Sequence, residues 1–353
     1  MTNIEQIIKD IKPLSGSYLE KAQQKLDSLT KPRGSLGKLE AIAQRYAAIK
    51  ENIHAGIKGK RIFTFAGDHG VTEEGVSAFP KAVTVQMVFN MLAGGAAINV
   101  LAKYVGAEVL VVDVGVDFDF ESTSGLLIRK VGYGTRNFTK GPAMNREDAI
   151  KALGVGITLA QQCAWDGIDV IGTGEMGIGN TTPSSAILSV LTGISPDDIT
   201  GRGTGVDDKQ LRNKIEVIKR AIAVNRPDPL EPIDVLAKVG GYEIGAIAGL
   251  IVGGACWRIP VVVDGFISTA GAMIATAMNP VIGEYIFYSH LSAERGHKRM
   301  FEHLGQEPIL SLDMRLGEGT GGAIAMTIIE GAVKIMNEMA TFESACVDRE
   351  TKS

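Results

Sequence analysis

The chain has 353 residues, 45% of them hydrophobic and 22% charged, with a formal net charge of −4. That is enough apolar residue for a large core or two lobes. The mild acidity gives no electrostatic footprint for nucleic acid or an anionic membrane. Three widely spaced cysteines, Cys163, Cys256 and Cys346, form neither a disulfide framework nor a zinc spacing, so a reducing, cytoplasmic setting fits. Residues 1–12 lack the basic and apolar blocks of a signal peptide. The most apolar region, 240–277, has no uncharged run approaching the ~20 residues of a membrane span, and it reads as helix, strand, helix. The 43 glycines point to close packing and ligand loops.

In chain order, residues 1–50 read as helical and polar. An amphipathic stretch covers 21–29, a Pro/Gly breaker 30–37, and a second helix 39–49. A first buried strand spans 61–66 and ends in Gly67-Asp68-His69-Gly70. A long helix follows over 81–104, with Gly94-Gly95 as its weak point. Residues 107–116, β-branched and continuous, read as a parallel strand covered on both faces. Then come a helix at 146–165, a strand at 168–172, and helices at 183–191 and 209–224. A strand at 260–264, helices at 268–278 and 293–304, a strand at 309–313 and a helix at 322–339 complete the pattern, and 343–353 is a polar tail. Strands alternating with helices predict an α/β fold with a Rossmann-like parallel sheet.

Chemistry concentrates at the predicted strand ends. Asp68, Asp113, Glu175 and Asp264 each fall at or just past one, beside glycine. In open α/β sheets that edge holds the ligand, and four carboxylates there suit a site that handles protons or positive charge. The stretch GTGEMGIGNTTP (172–183) leads from a strand to a helix; its free N–H groups, with Asn180, Thr181 and Thr182, suit a phosphate. It also matches G-x-G-x-x-G at Gly172, Gly174 and Gly177, with Asp197 about 20 residues on, which raises a dinucleotide-dependent oxidoreductase as a rival. Against that, Glu175 would meet the pyrophosphate. A third glycine-rich turn, GRGTGVDD (201–208), brings Arg202 and Thr204, with Lys214 beyond, as phosphate candidates; its plain alternative is a helix start capped by Asp207. Finally MRLGEGTGG (314–322) sets Glu318 among four glycines ahead of an apolar helix, as a base or as a mere cap. In SHLSAERG (289–296), Ser292 takes a capping position. The spacing of His290, His297 and His303 does not put them on one helical face, so no metal site is expected. Asp68 and His69 read as a turn contact. A non-catalytic nucleotide-binding subunit is the second rival.

The longer motifs also carry a resemblance. TKPRGSLGKLE (30–40), AGDHGV (66–71), GPAM (141–144), GTGEMGIGNTTP (172–183), KVGGYEIGAIAG (238–249), DGFIS (264–268), SHLSAERG (289–296) and MRLGEGTGGA (314–323) are similar, in order, to the nicotinate-nucleotide–dimethylbenzimidazole phosphoribosyltransferase family. The resemblance implies transfer of ribose 5-phosphate from nicotinate mononucleotide to 5,6-dimethylbenzimidazole, in the lower-ligand branch of cobalamin biosynthesis. It implies Glu318 as general base and Glu175 as the second acidic residue. It places Met176, Gly177, Gly203, Lys214, Asp264, Gly265 and Ser292 around the nucleotide and its phosphate. Leu36, Phe79, Pro80, Val83, Met87 and Leu316 would wall the base, where the apolar Phe79 and Met87 leave benzimidazole, purine and phenol acceptors open. It further implies a homodimer, and no metal or organic cofactor. The expected organisation is a helical segment of a small domain at 1–58 and a nucleotide-binding domain at 59–312. An active-site loop with a C-terminal helix, packing on the small domain, follows at 313–353.

Overall fold

The computed structural model describes residues 4–203 and 205–348. Thr204 of the third glycine-rich turn, residues 1–3 and the last part of the polar tail, 349–353, lie outside the described residues. Three helices come first: α1 (Ile4–Asp10), α2 (Gly16–Ser28) and α3 (Lys38–Lys50). Strand β1 (Lys60–Gly67) follows, buried without a break from Ile62 onward, so both faces of the sheet are covered at its centre.

The expected long helix is two. α4 (Val83–Leu92) and α5 (Ala97–Val105) are separated at residues 93–96. Gly94 takes φ +78, and the Gly95 N–H bonds back to the Asn90 carbonyl. Asn99 then accepts from the Ala96 N–H at 3.1 Å, which starts α5 afresh. Taken together, Val83–Val105 is long and apolar enough to cross a membrane by composition alone, but this interruption divides it.

β2 (Glu108–Gly115), a short β3 (Leu126–Ile128) and α6 (Arg146–Trp165) lead to β4 (Val170–Met176). β4 runs past its expected end at 172, so Gly172, Gly174 and Glu175 are strand residues. Helices α7 (Thr181–Thr192), α8 (Pro196–Ile199), α9 (Asp208–Asn225), α10 (Pro232–Val239) and α11 (Tyr242–Cys256) precede β5 (Val261–Val263). Then come α12 (Phe266–Met278), β6 (Ile286–Tyr288), β7 (His290–Leu291), α13 (His297–Leu304), β8 (Leu310–Ser311) and α14 (Thr320–Glu338). α13 starts later than expected, with Gly296 and not Ser292 at its N-cap. β3 and β6 escaped the reading because three residues carry no period, and β8 leaves the main sheet to pair with β7.

The main sheet is all parallel, in the order β3-β2-β1-β4-β5-β6. This is the order of the doubly wound dinucleotide-binding fold, whose switch point, where ligands bind, lies between β1 and β4. The chain ends meet: Leu29 bridges Thr341, the Thr30 N–H bonds the Ala340 carbonyl, and Lys25 donates to Asn337 at 2.8 Å. α14 nevertheless also packs on β4, β5 and α5, which anchors its N-terminus to the sheet.

On the other side, α11 lies against α6 through glycine. A Cβ on Gly249 would stand 1.9 Å from the Leu153 carbonyl oxygen, and one on Gly156 1.9 Å from that of Ala246. Backbone atoms cannot step aside as side chains do. Gly249→Ala should therefore cost about 1–3 kcal/mol or more, read as a lower urea midpoint. Gly331→Ala in α14, where a methyl meets nothing within 4 Å, should instead stabilise by about 0.4–1 kcal/mol.

Candidate active site

A cleft of about 350 Å³ opens beyond the carboxyl ends of β4 and β5, in the size range of small-molecule sites. Its floor is Glu175, Met176 and Gly177 from β4 and the turn after it. One wall is Gly265, Phe266 and Ile267, where β5 passes into α12; another is Arg315 to Glu318, ahead of α14. Phe79 comes from the loop ahead of α4, Val83 and Met87 from α4 itself, His290 from β7, and Ser292 and Glu294 from the loop after it.

Glu318 is placed by its backbone. Gly317, Glu318 and Gly319 take φ of +88, +64 and +104, three left-handed residues in a row, two of which glycine makes inexpensive. Thr64 of β1 donates its hydroxyl to the Glu318 carbonyl at 2.9 Å. The turn then lies so close to β4 that a Cβ on Gly174 would stand 2.2 Å from that same carbonyl oxygen. The Ile98 N–H, in the first turn of α5, donates to Glu318 Oε2 at 3.3 Å. Burial pushes the Glu318 carboxyl up, the Ile98 amide opposes this, and the charge of Asp264 adds to the rise.

Glu175 sits beside it. Its Oε1 lies where a Cβ on Gly317 would come within 2.0 Å, and Asn180 donates its amide to Oε2. Burial drives its carboxyl from the ordinary 4.5 to about 8; the Asn180 hydrogen bond pulls the other way, and the charges of Asp264, Glu243 and Glu318 add to the rise. Lys214 is the nearby buried cation. Its Nζ donates to Thr181 Oγ1 at 2.6 Å, beside Gly203. Burial lowers it from 10.5 to about 8, against the charge of Glu294. Arg315 Nη1 donates to the Gly203 carbonyl at 3.2 Å and ties the two glycine-rich turns together.

Of the residues expected at the nucleotide, Met176, Gly177, Gly203, Gly265 and Ser292 line the cleft, with Lys214 just behind Gly203. Asp264 does not line it: both its carboxylate oxygens face backbone N–H groups of the 319–322 segment. Of the base wall, Phe79, Val83, Met87 and Leu316 line the cleft, whereas Leu36 and Pro80 do not. The four acids of the strand ends divide. Asp68 accepts from the Asp117 N–H and Asp113 pairs with Lys130 at 2.8 Å, both away from the cleft. His69 pairs with Glu243 at 2.9 Å in full burial, a contact the turn reading missed. The G-x-G-x-x-G match is a packing pattern: a Cβ on Gly172 would meet Ile62 and Met326, and one on Gly177 the Gly67 carbonyl at 2.4 Å.

The reading also missed His290, whose ring is buried at the cleft edge with Nδ1 3.0 Å from Ser289 Oγ. His297 is structural. It accepts the Ser292 N–H at Nδ1, which puts its proton on Nε2 beside Thr269 Oγ1. Burial and His290 hold it near 3, so it stays neutral.

A doubly wound sheet with a cleft at its carboxyl edge, lined by two buried carboxylates and flanked by helix N-termini, is the arrangement of a nucleotide-handling enzyme. Residues 11–347 match the phosphoribosyltransferase family DBI_PRT. The nicotinate-nucleotide--dimethylbenzimidazole phosphoribosyltransferase of Geotalea uraniireducens is 60% identical over 347 residues, covering 98% of this chain and 99% of the relative. That of Geobacter metallireducens is 58% identical over 349 residues, 99% of each. The crystal structure of CobT from Thermus thermophilus superposes with a TM-score of 0.91 at 44% identity, covering 95% of this chain and all of that one. The chain belongs to this phosphoribosyltransferase family, and it is an enzyme of that class.

Glu175 gives the protein a pH signature. Between 4.5 and about 8 the folded protein holds a proton that the unfolded chain has lost. Stability therefore falls as pH rises through that window and levels off above it. Glu175→Gln should flatten a slope of at most about 1.4 kcal/mol per pH unit. Urea midpoints at pH values inside and above the window measure it.

Proposed function

We propose that this enzyme transfers ribose 5-phosphate from nicotinate mononucleotide to 5,6-dimethylbenzimidazole, giving α-ribazole 5′-phosphate and nicotinate. The observation that carries this reading is the pair of carboxylates that line one cleft, Glu175 on its floor and Glu318 on its wall, both buried with raised affinity for protons. The nicotinate nitrogen is cationic while bonded to the ribose, so it leaves with the bonding electron pair and needs no acid. Positive charge develops at the anomeric carbon as that bond breaks, and carboxylates at the floor favour it. One benzimidazole nitrogen attacks from the opposite face, which inverts the centre. The attacking ring then carries an extra proton on its other nitrogen, and Glu318 takes it. A carboxylate held above its ordinary range is a stronger base for this step.

Glu175 holds a proton at neutral pH, which spares the cleft a second anion near Glu318. A cationic nicotinate ring supplies the missing counter-charge and favours release of that proton. The phosphate is read at Lys214, Gly203 and the N-terminus of α7, where the positive end of a helix dipole and a buried ammonium meet. Phe79, Val83, Met87 and Leu316 wall the base.

The enzyme works as a homodimer in this reading. Phe79 and Leu316 are 51% and 57% exposed in the single chain, so the base wall is half open. Leu36, expected at the base, lies outside its own chain's cleft and would have to reach a second copy's. The exposed apolar side chains of α4 and α5, Phe89, Val100 and Tyr104, with Phe118 beside them, offer a surface for it. The cytoplasm suits the free cysteines.

Three measurements test the reading. Nicotinate release by the purified protein should require dimethylbenzimidazole and yield its ribotide; release with adenine or a phenol alone would assign a different acceptor, with Phe79 and Met87 governing the choice. Glu318→Gln should lower kcat by about 10²–10⁴-fold, because an amide cannot accept the proton. Full turnover in that variant refutes the mechanism. The acid limb of kcat/KM should lie above the ordinary carboxylate range, because the base form of Glu318 is lost below its raised pKa.

A further inference from the structure

We propose that Asp264 is a positioning residue for Glu318, acting through the backbone of the 319–322 segment and not on substrate. The inference rests on the general-base role given to Glu318 above.

The first turn of α14 is a buried helix N-terminus with no side-chain cap of its own, because its N-cap is Gly319. Orphaned N–H groups there would be costly. A residue from another strand end supplies the acceptors. Asp264, immediately after β5, takes the Gly319 N–H on Oδ2 at 3.1 Å and the Gly322 N–H on Oδ1 at 3.0 Å. Its carboxylate is buried, and glycine at 321 leaves room for it together with His290: a Cβ there would stand 2.0 Å from His290 Nδ1 and 2.9 Å from Oδ1. Asp264 is itself rooted at both backbone groups. Its N–H donates to Thr173 Oγ1 at 3.1 Å, and its carbonyl accepts from Ser289 Oγ at 3.0 Å.

Glu318 directly precedes the clamped Gly319 and is the one non-glycine of three consecutive left-handed residues. That conformation is unfavourable for a side chain with a Cβ and persists only where neighbours impose it. Two tethers impose it here: Asp264 on the amide that follows, and Thr64 on the Glu318 carbonyl at 2.9 Å. Releasing either lets the turn relax and carries the carboxylate away from the base. A nucleotide ligand and a clamp predict opposite kinetics, since loss of a ligand weakens nucleotide binding and loss of a clamp slows the chemical step.

The test compares Asp264→Asn, Asp264→Ala and Thr64→Val with the wild type. It reads kcat, KM and calorimetric Kd for nicotinate mononucleotide, and hydrogen exchange in 317–322. An asparagine keeps one acceptor oxygen of two, so Asp264→Asn should lower kcat about 10²-fold and Asp264→Ala further. The nucleotide Kd should stay unchanged, and the 319–322 amides should exchange faster in both. Thr64→Val should show the same fall in kcat without a change in Kd. If Asp264→Ala does not fold, the other two variants carry the comparison. Weakened nucleotide binding with kcat retained, or unaltered exchange at 319–322, overturns the assignment. A wild type inactive with every acceptor refutes the proposed reaction instead, and the exchange measurement then decides whether Asp264 clamps the turn.

Discussion

The site depends on one contact of backbone with backbone. The turn carrying Glu318 lies on β4 at Gly174, with no room for a methyl group between them. This closeness places the carboxylate of one segment beside Glu175 of the other. It explains the glycines at 174 on one side and at 317 and 319 on the other. On the strand Gly174 admits the turn; in the turn the glycines permit left-handed geometry. Glycine destabilises a strand interior, and here that cost is accepted for the close approach of the turn to β4.

The second theme is charge held back. Two carboxylates are buried with their proton affinities raised, and a lysine is buried with its own lowered. Each group therefore leans towards its neutral form, and desolvation more than any fixed ion pair is the cause. Around the cleft several other acids and histidines are already engaged: Asp113 with Lys130, Glu243 with His69, His297 with Ser292 and Thr269. They support the walls and leave the chemistry to the floor.

Much of this was legible in the residues, and unevenly so. Long periodic segments declared themselves: α6 spans the expected 146–165, and β1, β2, β5 and α14 fall within a few residues of their expected ends. Strands of two or three residues did not, because β3 and β6 are too short to show alternation and are held by neighbours instead. Glycine misled twice, in opposite senses. Beyond 172 the glycine-rich stretch reads as a loop, since the backbone that fills the Cβ positions of Gly174 and Gly177 is remote in the chain. At 94–95 it was read as a soft point within one helix, where Gly94 ends one helix and allows another to begin. Glu175 and Glu318 were visible from their glycine settings. His290 was not, because nothing local distinguishes a histidine that edges a cleft from one on the surface. Asp264 was legible as a strand-end acid but not in its direction, since its partners lie more than fifty residues on.

The interruption between α4 and α5 has a consequence beyond the helices it separates. It turns an N-terminus inward, so that the amide of Ile98 meets Glu318. With Thr64, Glu175, Asp264 and the 317–322 turn, the surroundings of one carboxylate then draw on five stretches of chain spread over most of its length. No fragment holds more than a part of them. Contacts of such sequence separation form late, after the entropy of closing long loops has been overcome. During refolding, catalytic competence should therefore be among the last properties to return, behind helix content and behind burial of the core. A nascent chain still missing α14 can have much of its sheet and its base residue, without the anchored turn that positions that base.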